Sequence, residues 1–100
     1  ADVLVVPCVP ATATPIGSDN AAFEGRQLDI GSVMTRFTYP FNLSGFPSLA
    51  VPAGFDVQGL PTGIQIAGPP WRESLLLRVG NAFQLATDWH VRQPRFSARD

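Results

Sequence analysis

Three stretches of this sequence predict an α/β fold. Residues 3–6, Val-Leu-Val-Val, form a continuous apolar run closed by Pro7, the pattern of a strand buried on both faces of a parallel or mixed sheet. Residues 48–53 and 62–67 are strand-like, and the link 54–61 carries the Gly, Asp and Pro of a hairpin loop, so an antiparallel strand pair is expected. Residues 71–89 carry apolar side chains at helical spacing and predict a C-terminal amphipathic helix. With 100 residues, the chain has the length of one domain and no more.

Taken in order, the remaining elements are less regular. Residues 7–30 are rich in Pro, Ala, Thr, Gly and Asp and read as a long irregular connection, a kind of segment that is often functional. In residues 31–45, which contain Val33, Met34, Phe37, Phe41 and Leu43, spacings of three and four recur, which suggests a short helix or helical turns. Pro40 is expected to interrupt it and Gly45 to end it. Gly54, Gly63 and Gly68 at the strand ends indicate sharp turns or close backbone approach. Pro69-Pro70 suits the first turn of the last helix, and Glu73 suits its positive end. Leu75, Val79, Ala82, Phe83 and Ala86 fall on one helical face, widened by Leu76, Leu77 and Leu85. His90 and Arg92 follow the helix, and Pro94 stops any continuation. No internal repeat is present.

Composition narrows the function. Apolar residues make up 45% of the chain and charged residues only 15%, below the usual quarter. So low a charge implies faces that something else normally covers. Lys+Arg is 7 and Asp+Glu is 8, a balance that gives no reason to expect nucleic acid or a membrane as partner. No run is long and apolar enough to span a bilayer, and the start lacks the basic region of a signal peptide. Cys8 is the single cysteine, which excludes an internal disulfide and fits a reducing, cytoplasmic compartment. All 7 basic residues are arginine, and His90 is the only histidine. A zinc site, a lysine Schiff base and a P-loop lysine are therefore not expected. By itself the chain is expected to be catalytically inert.

Each remaining candidate has a plain structural alternative. Cys8, His90 and a carboxylate would make a cysteine-nucleophile triad. The packing reading is favoured, because Cys8 lies between Pro7 and Pro10 and not at a helix N-terminus that would lower its pKa. The acids Asp2, Asp19, Glu24, Asp29, Asp56, Glu73, Asp88 and Asp100 are scattered singly, as solvated surface acids are. Gly63 and Gly68 match no phosphate-binding motif. Phe37, Tyr39 and Phe41 alternate, so in an extended segment they would share one side and line an apolar pocket; core packing is the alternative. Asn42 is a polar group in an apolar stretch and, if buried, must be hydrogen-bonded to a carbonyl or to a substrate.

Residues 2–7 (Asp-Val-Leu-Val-Val-Pro), 38–55 (Thr-Tyr-Pro-Phe-Asn-Leu-Ser-Gly-Phe-Pro-Ser-Leu-Ala-Val-Pro-Ala-Gly-Phe) and 59–68 (Gly-Leu-Pro-Thr-Gly-Ile-Gln-Ile-Ala-Gly) together resemble the C-terminal part of the amidase signature family. The helix start at Glu73 to Leu77 and the Trp89-His90 to Pro94 ending are similar to it too. The resemblance implies that residues 1–100 are the C-terminal part of a single, incomplete amidase domain, a fragment of the mixed-sheet amidase signature fold. It implies hydrolysis of carboxylic amides to acid and ammonia or amine by a nucleophilic serine, a second serine joined by a cis peptide, and a lysine, without metal or organic cofactor. That trio has no counterpart here. Tyr39, Phe41 and Asn42 are carried over as pocket residues. In the family's tRNA-dependent glutamine amidotransferases an acidic residue that reads glutamine precedes this segment. Thr35 stands at the matching position, which argues against a glutaminase role. Cys8 stands where the family commonly has threonine, consistent with packing. The alternative is a non-catalytic binding or assembly module of the same ancestry. The expected partners are a small amide substrate and either the missing N-terminal part or a second copy, because strand edges left uncovered invite pairing.

Overall fold

A three-stranded antiparallel sheet organises the chain. The computed structural model describes residues 1–94, so Asp100 lies outside the described residues. Strand β1 spans Leu4–Pro7, a hairpin follows in β2 (Asn20–Phe23) and β3 (Arg26–Asp29), and two short helices come next, α1 (Ile30–Thr35) and α2 (Tyr39–Ser44). The long strands are β4 (Ser48–Phe55) and β5 (Pro61–Ala67); α3 (Glu73–Ala86) and a 3-10 turn at Trp89–Val91 complete the order.

Strand β5 is the centre of the sheet, and its period-two alternation decides what lies on each face. Ile66 pairs with Val5 of β1 on one side and with Leu49 of β4 on the other. Val51, Ile66 and Leu76 of α3 form the core, with Val3, Leu49, Ile64, Val79 and Phe83 packed around it. Gln65 and Ala67, of opposite parity, are buried as well, so the second face of β5 is also covered. Between Pro52 and Gly54 the β4–β5 register shifts by a bulge.

The β4–β5 connection is held by one carboxylate. Asp56 accepts hydrogen bonds from the Gln58 and Leu60 backbone N–H groups, at 2.8 and 2.9 Å. Thr12, far back in the chain, donates its hydroxyl to the other oxygen at 2.8 Å. The Leu60 N–H first, and the Thr12 hydroxyl next, hold the Asp56 carboxyl below the usual carboxylate range. A depressed folded value means that this support is complete at neutral pH and is lost as pH falls below about 4. Asp56→Ala is expected to loosen the loop at pH 7 and to flatten the acid side of the stability curve. Thermal melts at neutral and acid pH, compared between parent and variant, check this; an unchanged difference between the two would refute it.

Four sequence expectations are corrected. Strand β1 forms, but as an outer strand of the described sheet, paired antiparallel with β5. Leu4 and Val5 are 51% and 55% exposed, not buried on both faces. The stretch 7–30 is not wholly irregular: β2 and β3 pair from Asn20↔Asp29 to Phe23↔Arg26. Their two-residue turn, Glu24-Gly25, has positive φ at both positions, the turn geometry whose twist suits a hairpin. Pro40 does not interrupt a helix but sits in the first turn of α2, where a missing N–H costs nothing. The break falls earlier, at residues 36–38. Finally, α3 starts at Glu73, after Pro69-Pro70, and ends at Ala86. Its buried residues are Leu76 and Gly80, so the face is rotated relative to the predicted stripe, and Leu77 and Leu85 are exposed. Gly45 does end α2, in the left-handed region at φ 71°.

Candidate functional site

The segment that leads from α1 to α2 is built from local caps. The Asp29 carboxylate accepts the Ser32 N–H at 2.8 Å and starts α1, and that bond lowers its pKa. Thr35 donates its hydroxyl back to the Gly31 carbonyl at 2.7 Å. Its own carbonyl accepts from the Thr38 N–H and the Thr38 hydroxyl. Those bonds turn the chain, and the first N–H of α2 to find a carbonyl outside the helix is that of Asn42, bonded to Thr38 O at 3.2 Å.

Beneath this joint lies Gln65, 4% exposed. Its Nε2 donates to Phe37 O at 2.8 Å and to Pro7 O at 3.2 Å. Its Oε1 accepts from the Ser48 hydroxyl at 3.1 Å. No buried side-chain nitrogen or oxygen among the described residues lacks a partner.

Of the three pocket candidates, Phe41 and Asn42 are brought together. They line an open groove of about 330 Å³ with Gly45, Pro47, Trp71 and Glu73. Tyr39 is not in its lining and is 57% exposed. Because residues 39–44 are helical, Phe37, Tyr39 and Phe41 do not share the single face that an extended segment would give them. Asn42 is exposed rather than buried. The groove offers aromatic walls, one side-chain amide and one carboxylate, enough to hold a small polar molecule but without a serine, cysteine or lysine to attack one.

Two of these lining residues were not read from the sequence as site residues. Trp71 and Glu73 are far from Phe41 along the chain and meet it only through the fold. In the structure Trp71 adopts φ 66°, a backbone region that bulky residues rarely occupy, and it is 91% exposed.

The cysteine triad is not assembled. Cys8 packs beside Gly63, where an added Cβ would come within 3.3 Å of its sulfur, and burial raises its thiol pKa, opposite to what a nucleophile needs. His90 lines a different groove, with Pro52, Phe55, Trp89 and Arg92. There Trp89 meets Phe55 edge-on at 6.1 Å, and Arg92 lies 4.8 Å over Trp89. Among the described residues no cluster of three His, Cys, Asp or Glu could hold a metal ion, and no helix is long and apolar enough to cross a membrane.

A family profile described as Amidase matches residues 1–77. The chain belongs to the amidase family. Among similar proteins, the A-type subunit of the glutamyl-tRNA(Gln) amidotransferase of Microcystis aeruginosa is 45% identical over 96% of this chain and 19% of its own length. Its counterpart in Chloroflexus aggregans is 45% identical over 93% of this chain and 18% of its own. Among solved structures, 6-aminohexanoate cyclic dimer hydrolase superposes with a TM-score of 0.81 at 37% identity, covering 94% of this chain and 21% of that one. A vestigial protein complex bearing on the origins of an s-triazine catabolic enzyme gives 0.85 at 30%, covering 92% and 20%. The amidase chain described here thus spans about a fifth of the length of these relatives, and its mixed α/β architecture is theirs.

Proposed function

We propose that this chain is the C-terminal part of a single amidase domain, and that α2 walls the pocket in which a small carboxylic amide is hydrolysed to acid and ammonia or amine. The observation that carries the reading is the groove at α2. The segment 38–45 folds so that Phe41 and Asn42 open onto one cavity, and no serine, cysteine or lysine lines it. Phe41 and Trp71 would cover the apolar body of the substrate, and Asn42 would hydrogen-bond its polar end. The attacking groups, a nucleophilic serine, a cis-linked serine and a lysine, belong to the part of the protein outside this segment; the chain contains no lysine at all. Neither metal nor organic cofactor is required by this chemistry, and a cytoplasmic setting suits the unpaired Cys8.

Two features support a larger body around the segment. The Cα radius of gyration is 15.7 Å, against about 13 Å for a compact domain of 100 residues. Leu4, Val5, Leu43, Leu77 and Leu85 are all exposed, and in this reading the rest of the amidase covers them. Glutamine is not the proposed substrate, because Thr35 stands where the resemblance places the acidic residue that reads glutamine.

The test is ammonia release by the intact amidase from a panel of aliphatic and aromatic carboxylic amides, with glutamine included. Turnover of the simple amides without turnover of glutamine is expected; no turnover of any amide would sink the reading. Asn42→Ala is expected to raise KM about tenfold while changing kcat little, the effect of roughly one substrate hydrogen bond. An unchanged KM would remove Asn42 from the pocket.

A further inference from the structure

We propose that Gln65 is a positioning residue for the amide pocket, tying the backbone that launches α2 to the centre of the sheet. The proposal rests on the reading of α2 as the pocket wall. Residue 65 lies on the central strand, with β1 on one side and β4 on the other, a place where an aliphatic side chain would pack without the cost of burying an amide. Instead a glutamine is present and almost completely buried. Both of its donor hydrogens and its acceptor oxygen are used, and the partners come from three different segments: Phe37 O, Pro7 O and the Ser48 hydroxyl, separated from it by 28, 58 and 17 residues.

The bond to Phe37 is the informative one. Helix α1 has ended by this carbonyl, and the bond from Asn42 N–H to Thr38 O starts one residue later. Helix α2 has 6 residues, too few to hold itself in place by its own cooperativity. Its only capping side chain would be that of Thr38, which makes no cap bond and instead donates to Thr35 O. What fixes the entry point of α2 against the sheet is the 2.8 Å bond from Gln65. Phe41 and Asn42 lie one turn further on, so a shift at Phe37 carries both across the groove.

Gln65→Met keeps the length of the side chain and removes all three bonds. Gln65→Glu keeps the acceptor for Ser48 but removes both donors. Each is expected to raise KM for the amide about tenfold with kcat within about twofold, the loss of roughly one net hydrogen bond's worth of ordering. Backbone amides of residues 42–44 should exchange with solvent about tenfold faster, while the β4–β5 ladder keeps its protection. Should these variants fail to fold, Ser48→Ala frees only Oε1 and is expected to give a KM change of about threefold in the same direction. The proposal is overturned if Gln65→Glu behaves as the parent, or if exchange rises equally in β4, β5 and α3, the mark of general destabilisation. If the intact protein turns over no amide, the functional reading fails alone, and the exchange pattern of residues 42–44 against β4–β5 decides the role of Gln65.

Discussion

Ile66→Ala is expected to cause the largest loss of stability among single truncations in the sheet. Ile66 is 1% exposed and is the largest fully buried side chain. It sits at the crossing of every packing direction the core has: Val5 and Leu49 flank it across the ladders, and Val51 and Leu76 complete the cluster. The described core is small, with five buried hydrophobic residues, so little can move in to fill a hole. Removing buried methyl groups in such a place costs about 2–5 kcal/mol, a large share of the roughly 5–15 kcal/mol that holds a domain folded. Ile66→Val, which leaves most of the contact surface, should cost about 0.5–1.5 kcal/mol. Thermal melts of the two variants check the ranking, alanine lowering the midpoint clearly more than valine. Equal midpoints for alanine and valine would show that Ile66 is not the centre of the core. A second consequence follows from the strand itself. Gln65 is the neighbour of Ile66, and its side chain leaves by the opposite face. A loosened β5 therefore releases the Phe37 carbonyl as well, and Ile66→Ala should speed amide hydrogen exchange in α2 in proportion to its loss of fold.

How far the sequence disclosed this arrangement depended on whether a signal was local. Strands β4 and β5, the body of α3 and the end of α2 at Gly45 follow from periodicity and from a glycine where left-handed backbone is needed. The β2–β3 hairpin escaped because its strands, Asn20–Phe23 and Arg26–Asp29, are mostly polar or small. Its turn also places Glu24 where Asn or Asp is the usual signal. For β1 the run of valines was visible, but an apolar run does not tell one covered face from two. Gln65 is the clearest case of what a linear pattern conceals. In Ile64-Gln65-Ile66 the alternation points the glutamine away from the aliphatic face, where solvent would be expected. It is buried because the α1–α2 joint comes to lie over it, and that contact spans 28 residues of sequence. Phe41 and Asn42, carried over from the family resemblance, come to line one groove. Trp71 and Glu73, which share their groove, were not legible, because nothing in either segment by itself refers to the other.

Gly80→Val is the second large effect, and it tests why a glycine stands in the middle of α3. Glycine costs a helix interior about 1 kcal/mol relative to alanine, so its presence at a buried position calls for a packing reason. A Cβ at residue 80 would lie 2.5 Å from Leu49 Cδ2 and 3.8 Å from Val51 Cγ1: the helix rests directly on β4 at this point. The nearest atom is the far end of a flexible side chain. Gly80→Ala can therefore be accommodated by a rotation of Leu49, and the gain in helix propensity offsets much of the cost, leaving a change near zero. Valine is different. Its two γ-methyls are locked into nearly one rotamer in a helix, and between Leu49 and Val51 there is no free volume to receive them. Overpacking of this kind costs about 1–3 kcal/mol, and relieving it means lifting α3 from the sheet, which strips Leu76 from Ile66 and Val51. The expected result is a clear fall in the melting midpoint for valine and little change for alanine. If valine proved as mild as alanine, close approach of α3 to β4 would not be the reason for Gly80. If both were equally severe, Leu49 would be unable to rotate, and the contact would be tighter than a side-chain adjustment can relieve.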